Sequence, residues 1–328
     1  MPTEAEQKTN EEDKPSVEVD AGEHVRKQRT RYRFNADESI SNGVKRIVVV
    51  QIGDALSHLE TRGGAIDGAI HDARVCIKKV RAVLRLVRGG LRKDTFQAEN
   101  IRFRDAGRRL SAVRDSVAIL EAFDSVTNDT GGIKGEEFEA LRAKLIRAER
   151  ATIAEKESAL SEVSAVLQEE LVRIADWRIH KKGFSALGPG LRLVYRLGSH
   201  SFNTARKDPT TENLHELRKR VKDLSYQLHV LRPVWPEILK CLSGQLGKLA
   251  DLLSENHDLA VLREALSGMA SNGSADGQLK AILAVVDRRR DELQVRAIPI
   301  GERVYVDKPG AFCRRVEGYW NVWRHEVE

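Results

Sequence analysis

Aromatic residues, prolines and cysteines are all scarce in this sequence of 328 residues. Phenylalanine, tryptophan and tyrosine make up 5% of it, which argues against the aromatic-rich packing of an all-β domain. The 8 prolines leave the whole stretch between Pro15 and Pro189 without the strongest helix breaker, and this favours helices. Three cysteines (Cys76, Cys241 and Cys313) form no disulfide framework and predict reduced thiols in a cytoplasmic protein.

Long apolar runs are missing as well. The best run covers only residues 47–50, whereas a membrane span needs about 18 or more apolar residues. The N-terminal stretch is acidic and polar, which does not fit a secretory signal peptide. We therefore expect a cytoplasmic protein with no membrane partner.

The charge is unevenly distributed along the chain. Residues 1–23 carry eight acids against two lysines, a sum of −6, so the net charge of +6 leaves +12 for the other residues. A basic body of this kind indicates a polyanionic ligand. Residues 1–35 contain few apolar side chains and are predicted to be a disordered tail, acidic and then basic, that either aids solubility or competes with the ligand for the basic site.

One sequence pattern occurs twice. His71-x-x-Arg74-x-x-x-Lys78 recurs 144 residues later as His215-x-x-Arg218-x-x-x-Lys222, and Arg114-Asp115 has a counterpart in His257-Asp258 at an offset of 143. This period is too long for a solenoid repeat. It predicts an internal duplication, with one half over about 36–180 and the other over about 181–328.

Apolar residues recur with the 3.6-residue period of helices through most of the chain, and strand patterns are nearly absent. The predicted helices cover 40–61, 66–93, 96–113, 115–126, 135–177, 186–206, 211–232, 236–255, 257–269, 276–296 and 309–326. The predicted fold class is all-α, with two helical bundles related by a pseudo-twofold around a basic central groove or channel.

Basic residues line one face of the first motif helix. Seven of them fall within an arc of about 100° on a helical wheel: His71, Arg74, Lys78, Arg81, Arg85, Arg88 and Arg92. Between His71 and Arg92 the only acid is Asp72, so repulsion along this row requires neutralisation by another helix or by a ligand. The steps of about 5 Å between successive cations suit an extended polyanion better than a single compact phosphate.

The candidate binding residues come from both motifs and from neighbouring helices. They are His71, Arg74, Lys78, Lys79, Arg81, Arg85, His215, Arg218, Lys219, Lys222, Lys45, Arg109, Arg114, Arg192 and Arg196. Arginine forks grip phosphate oxygens in pairs, and lysine and imidazolium add point charges. The motif histidines either contact phosphate or form hydrogen bonds at the start of a helix, and Asp115 and Asp258 either cap a helix or orient a motif side chain.

Signs of catalysis, metal binding and cofactor binding are weak. The phosphate loop G-x-x-x-x-G-K-[ST] is absent, carboxylates are scarce near the basic row, and no His-x-x-x-His pair occurs. We therefore predict a binding protein with no catalytic residue, metal or cofactor. Two alternatives stay open: a nucleic-acid-binding protein, which fits the pI of about 9.2 but lacks interleaved aromatics, and an enzyme of phosphate metabolism.

Four features carry a resemblance to a known family: the motif around His71 with Lys79 and Arg81, its echo around His215 with Lys219, the aspartates Asp115 and Asp258, and the run 310–315 with Tyr319, Trp320 and Trp323. Together they resemble the CHAD family, the conserved histidine α-helical domain, over roughly residues 36–328. The resemblance implies two pseudo-symmetric helical bundles around a basic channel that binds inorganic polyphosphate. It also implies a location at polyphosphate granules, with other granule proteins as further partners.

The chain departs from the family pattern in one place. Ser225 stands where the family has a cation, beside the tyrosine that matches Tyr226, and this implies a weaker grip by the second half. Family members often carry an appended triphosphate tunnel metalloenzyme domain, which a leader of 35 residues is too short to hold. We expect a stand-alone binding module.

Overall fold

The computed structural model describes residues 32–60, 66–112, 115–129, 142–143, 145–146, 153–270 and 277–326. These residues contain α-helices and short 3-10 turns but no strand. The helices are α1 (Ile40–Leu59), α2 (Ile66–Leu86), α3 (Lys93–Ser111), α4 (Asp115–Asp129), α5 (Ile153–Arg173), α6 (Gly188–Lys207), α7 (Thr211–Leu231), α8 (Pro236–Ala270), α9 (Gly277–Val304) and α10 (Pro309–His325). The predicted all-α class is confirmed, whereas the internal duplication stays a prediction.

Most predicted helix bounds lie within a few residues of the observed ones, with three exceptions. The predicted 66–93 is seven residues too long at its end, the predicted 276–296 is eight too short, and α8 was divided in two. Of the predicted helix 135–177, most of the part before residue 153 lies outside the described residues. Two helices were expected on either side of residue 256, and the structure has one continuous helix of 35 residues. The stretch Glu255-Asn256-His257-Asp258 holds no glycine or proline to interrupt it. Asp258 therefore lies inside a helix and its interpretation as an N-cap is wrong, whereas Asp115 is the first residue of α4.

Local capping explains where two of the helices begin. The Ser39 hydroxyl accepts a hydrogen bond from the Asn42 N–H ahead of α1, and the Thr210 hydroxyl accepts one from the Asn213 N–H ahead of α7. These hydroxyls satisfy backbone donors that have no partner within the first turn of a helix. Pro209 directly precedes the Thr210 cap. Because proline cannot continue a helix, α6 ends before Pro209 and the second motif helix begins after it.

The helices enclose two hydrophobic cores. In the larger one α2 packs on α1, α3, α6 and α7, and α6 packs on α7 and α10. The smaller core lies between α4, the first part of α9 and the second part of α8, around Phe123, Leu262 and Val286. The first part of α8 packs on α7, so this one helix belongs to both cores.

The folded part begins earlier than predicted. Phe34 is 2% exposed and its N–H donates to the Val230 carbonyl at 3.2 Å, and the Tyr32 hydroxyl donates to the Lys79 carbonyl at 3.0 Å. Residues 32–35 thus belong to the fold, although the boundary was expected at 36. The rest of the predicted tail, 1–31, lies outside the described residues. In the part of the chain that the structure describes, none of the helices has the length and apolarity that a bilayer crossing requires.

Candidate functional site

The two motif helices, α2 and α7, pack directly against each other. At their contact the fully buried side chain of Gln227 donates from Nε2 to the Ala82 carbonyl at 3.2 Å. Ala82 and Leu86 are fully buried on this side of α2, and Val80 and Leu84 are buried on the other. The basic row of α2 is bordered by apolar residues on both sides because α2 is packed on both sides.

One cation of the row is neutralised by the opposite motif helix. Arg85 Nη1 donates to Asp223 Oδ1 at 2.6 Å, and both side chains are largely shielded from solvent. Burial raises the pKa of the Asp223 carboxyl, while the charges of Arg85, Arg220 and Arg81 hold it down. Arg85 was predicted to bind a ligand, and in the structure it pairs with the carboxylate of Asp223. The sequence near the first motif did not indicate this partner, because Asp223 lies 138 residues further along the chain.

Cations of both motifs lie close together beside this ion pair. Burial, followed by the charge of Arg218, lowers the pKa of the Lys222 ammonium to about 8. Arg74 on α2 lowers this pKa further, whereas Asp251 and Asp258 on α8 oppose the decrease. The structure therefore brings Arg74 of the first motif into the electrostatic range of Lys222 of the second.

Two imidazoles flank these cations. The rings of His215 on α7 and His257 on α8 lie 4.4 Å apart between centroids, and the Nδ1 atom of each is buried without a hydrogen-bond partner among the described residues. Burial and the charge of Arg218 lower the pKa of His257 to about 4, and burial also lowers the pKa of His215. Both rings are therefore neutral near pH 7 in this ligand-free protein. We call Arg74, Arg218, Lys222, His215 and His257 the central cluster.

His257 was not among the predicted site residues. The sequence repeat could have indicated it, because His257-Asp258 corresponds in the second motif to Arg114-Asp115, and Arg114 was a predicted site residue. Arg114 itself lies outside the described residues, and of Asp115 only the position in α4 is described. The hydroxyl of Ser254, one turn before His257, accepts a hydrogen bond from Arg218 Nε at 2.9 Å and so ties α7 to the middle of α8.

Further along α2, Arg81 lies among other cations. Burial lowers the pKa of Arg81 to about 10, and the charges of Arg85, Arg104 and Arg108 add to the decrease. Arg81 Nε donates to the Asn100 side-chain oxygen at 3.4 Å. Arg104 and Arg108 stand on α3, so this helix contributes positive charge through residues other than the predicted Arg109.

Several predicted residues have partners elsewhere. Lys45 Nζ donates to the Ala175 carbonyl at 2.6 Å, and Arg109 holds both oxygens of Glu162 at 2.6 and 2.8 Å. These contacts join α1 to the 3-10 turn 174–176 after α5, and α3 to α5 itself. Lys45 and Arg109 thus each have a partner within the protein, and their roles as ligand contacts stay predictions.

The remaining predicted residues on α2 and α7 have mixed environments. Lys219 pairs with Glu216 on its own helix at 2.5 Å and is exposed. The Lys79 ammonium lies 5.4 Å from the centre of the Tyr32 ring. His71 is exposed at the start of the row and Lys78 is half-buried. Their roles as ligand contacts stay predictions.

Arg192 and Arg196 lie on a different surface. Both are exposed on α6 and line a groove of about 780 Å³ between the start of α6 and the start of α10. This α6–α10 groove is further defined by four charged residues, Arg88, Lys181, Arg314 and Glu317. The two predicted arginines thus mark a second basic surface instead of extending the central cluster.

The described residues hold no group of three or more histidine, cysteine or carboxylate side chains able to ligate a metal ion. The neutral imidazoles of His215 and His257 are surrounded by Arg218, Lys219 and Lys222, an environment that favours an anion over a cation. What this arrangement offers chemically is a set of cationic and hydrogen-bonding groups for a negatively charged ligand.

Comparison with known proteins places this arrangement in a family. No curated protein matches the chain. The crystal structure of the CHAD domain from the plant Ricinus communis has a similar fold, with a TM-score of 0.56 at 17% sequence identity, over 82% of this chain and 93% of that chain. The model of the CHAD domain matches residues 50–267, a range that includes both motifs and every residue of the central cluster. The chain belongs to the CHAD domain family.

Proposed function

We propose that this protein binds inorganic polyphosphate at the central cluster and does not cleave it. The observation that carries the proposal is the packing of the two motif helices, which brings Arg74 of the first motif within electrostatic range of Lys222 of the second. The resemblance of both motifs to polyphosphate-binding CHAD domains supports the choice of ligand.

The electrostatics of the central cluster favour an anion. The lowered pKa values of Lys222 and Arg218 mean that these cations are partly desolvated, and Lys222 also lies near like charges. A phosphate oxygen placed among them supplies the missing opposite charge and regains hydrogen bonds, with arginine as a two-pronged donor. Asp258 and Asp251 offset only part of the positive charge.

A chain-like anion fits better than orthophosphate. The cations stand on two helices that pack together, and the row on α2 continues from Arg74 to Arg81, which has Arg104 and Arg108 nearby. One orthophosphate reaches one or two of these groups, whereas a chain of phosphates contacts several in succession. Linked contacts raise the affinity because each later contact forms within an existing complex.

The test is a set of titrations with long-chain polyphosphate, orthophosphate and double-stranded DNA at equal total charge and several salt concentrations. We expect polyphosphate to bind far more tightly than orthophosphate and to resist competition by DNA. Orthophosphate binding as tightly as the long chain would contradict the proposal, because successive contacts are the stated source of affinity. Displacement by DNA at equal charge would favour a nucleic-acid-binding protein instead.

Absence of cleavage needs its own measurement. Phosphoanhydride cleavage usually depends on a metal ion held by carboxylates, and the acids near Lys222 are offset by more numerous cations. We expect no release of phosphate from polyphosphate with added Mg²⁺ or Mn²⁺. Release that is abolished by His71→Gln or His215→Gln would identify an enzyme. A binding protein of this kind would be carried to polyphosphate granules in the cytoplasm by its ligand.

A further inference from the structure

The α6–α10 groove collects more positive charge than its own lining balances. Five cations line it: Arg88, Lys181, Arg192, Arg196 and Arg314. Glu317 is the one carboxylate in the lining, and none of the five cations forms an ion pair with a described residue. Other exposed arginines of the described chain do pair, as Arg263 does with Asp287 at 2.7 Å.

These cations come from four separate segments of the chain. Arg88 follows α2, Lys181 precedes α6, Arg192 and Arg196 lie one turn apart on α6, and Arg314 lies on α10. Such like charges repel one another, so no internal electrostatic gain accounts for their convergence on one cavity. A cavity of about 780 Å³ has the size of a small-molecule site.

The backbone around the groove has the same polarity. Both α6 and α10 begin here, and their N-cap residues, Leu187 and Lys308, make no side-chain capping hydrogen bond. Neither helix has an acid in its first turn. The positive ends of two helix dipoles therefore add to the five side-chain cations.

Gly310, in the first turn of α10, leaves space between two of the arginines. A β-carbon at this position would lie 3.4 Å from Arg314 Nη1 and 3.8 Å from Arg192 Nη2. The two guanidinium groups thus face one point beside the helix start, from α10 and from α6. Phosphate is the anion that such paired forks and backbone N–H groups recognise best.

We infer that the α6–α10 groove is a second anion site that binds a compact, polyvalent phosphate compound. The site does not depend on the central cluster, because none of its lining residues belongs to that cluster. Phe184, Pro189 and Leu193 give the groove an apolar wall beside its cations. The ligand is either a short chain of phosphoanhydrides or a small molecule carrying several phosphate esters.

The experiment isolates the groove by first weakening the central cluster. Protein carrying Arg74→Gln and Arg218→Gln is titrated calorimetrically with tripolyphosphate and, separately, with inositol hexakisphosphate. We expect at least one of these probes to bind, and the addition of Arg192→Gln and Arg314→Gln to weaken that binding by about tenfold or more. The probe that binds more tightly distinguishes the chain from the phosphorylated ring.

The matched control adds Lys207→Gln and Arg288→Gln, which remove two exposed positive charges outside the groove and should leave the affinity unchanged. Absence of binding by both probes, or equal affinity in the groove and control variants, would overturn the inference. Circular dichroism and the unfolding midpoint verify that each variant folds; Lys181→Gln with Arg196→Gln replaces the groove pair if it does not. Long-chain polyphosphate binding by the unmodified protein is measured alongside, so failure of the proposed function is seen independently.

Discussion

Arg85 and Asp223 form an ion pair of 2.6 Å that joins the first motif helix to the second. The pair lies where α2 and α7 cross, near the hydrogen bond from Gln227 to Ala82. It neutralises one cation of the α2 row with a carboxylate of α7. The contact between the two motif helices is therefore polar and specific as well as apolar.

Replacing the acid of this pair separates its structural role from its electrostatic one. Asp223→Asn should lower the free energy of unfolding by about 3 kcal/mol, because it leaves Arg85 and Arg81 shielded from solvent without an opposite charge. It should also tighten polyphosphate binding, since the site gains one net positive charge. Urea unfolding and calorimetric titration measure the two effects. Asp105→Asn, which removes an exposed partner of Arg104, is the control and should change stability by less than about 1 kcal/mol.

Cations of the central cluster should contribute to binding more than to folding. Arg74→Gln and Arg218→Gln are each expected to weaken polyphosphate binding by about tenfold. Each should also reduce the slope of log affinity against log salt by about one, as for a lost phosphate contact in nucleic acids. The unfolding midpoint should not fall for Arg74→Gln, because repulsion with Lys222 is relieved. It should fall only slightly for Arg218→Gln, which gains the same relief but loses the hydrogen bond to Ser254. Parallel losses of stability and affinity would contradict a ligand-binding role.

Acidification should destabilise the empty protein through His257. Burial lowers the pKa of this imidazole to about 4 from an ordinary value of 6.5, so the unfolded chain binds the proton first as the pH falls. The free energy of unfolding should therefore decrease as the pH falls from 6.5 to about 4. Chemical denaturation across this range should give a flatter curve for His257→Gln than for the unmodified protein. Parallel curves would contradict the buried, neutral state of this ring.

Polyphosphate affinity should increase as the pH falls through 8. The pKa of Lys222 is lowered to about 8 in the empty cluster, and a bound polyanion raises it, so binding takes up protons. Affinities measured at about pH 7 and pH 9 should differ for the unmodified protein and converge for Lys222→Arg, whose guanidinium stays charged throughout. An unchanged pH dependence in Lys222→Arg would place the proton uptake elsewhere.

The close approach of α6 to α2 depends on Gly190. A β-carbon at this position would lie 2.0 Å from the Leu86 carbonyl oxygen and 2.4 Å from that of Arg85. Gly190→Ala should cost about 3 kcal/mol or more, because backbone atoms cannot yield as a flexible side chain does. Gly244→Ala in α8, where the added methyl group meets nothing within 4 Å, should instead stabilise by about 0.5–1 kcal/mol. Thermal unfolding of the two variants measures the difference.

The sequence predicted the periodicity within single helices. It predicted the contacts between helices only in part. The part of the row from His71 to Arg85 needed only 3.6-residue geometry, whereas Arg88 and Arg92 lie beyond the end of α2 at Leu86, so the predicted row of seven on one helix is wrong at its last two residues. The predicted helix starts at 40, 211 and 309 agree with the observed ones. The requirement for a neutralising partner was also foreseen. The identity of this partner, Asp223, depends on how α2 packs against α7. No local sequence pattern encodes that packing.

The same limit explains the differences at other residues. Arg192 and Arg196 are basic, as expected of residues that bind an anion. The orientation of α6 places them in the α6–α10 groove instead of the central cluster. Lys45 and Arg109 were indistinguishable by sequence from free cations, since Ala175 and Glu162 are distant along the chain. The continuity of α8 was missed because a histidine-aspartate pair at a repeat boundary resembles a helix start.

The length of α8 links regions that otherwise have little in common. Its 35 residues form one rod of about 52 Å, with Ser254 near the middle, the larger core around its first half and the smaller core around its second. Arg218 donates a hydrogen bond to Ser254 in the middle of α8. Unfolding of either core would therefore disrupt part of α8 or strain this hydrogen bond. The two cores are thus mechanically coupled at the point where the anion is proposed to sit.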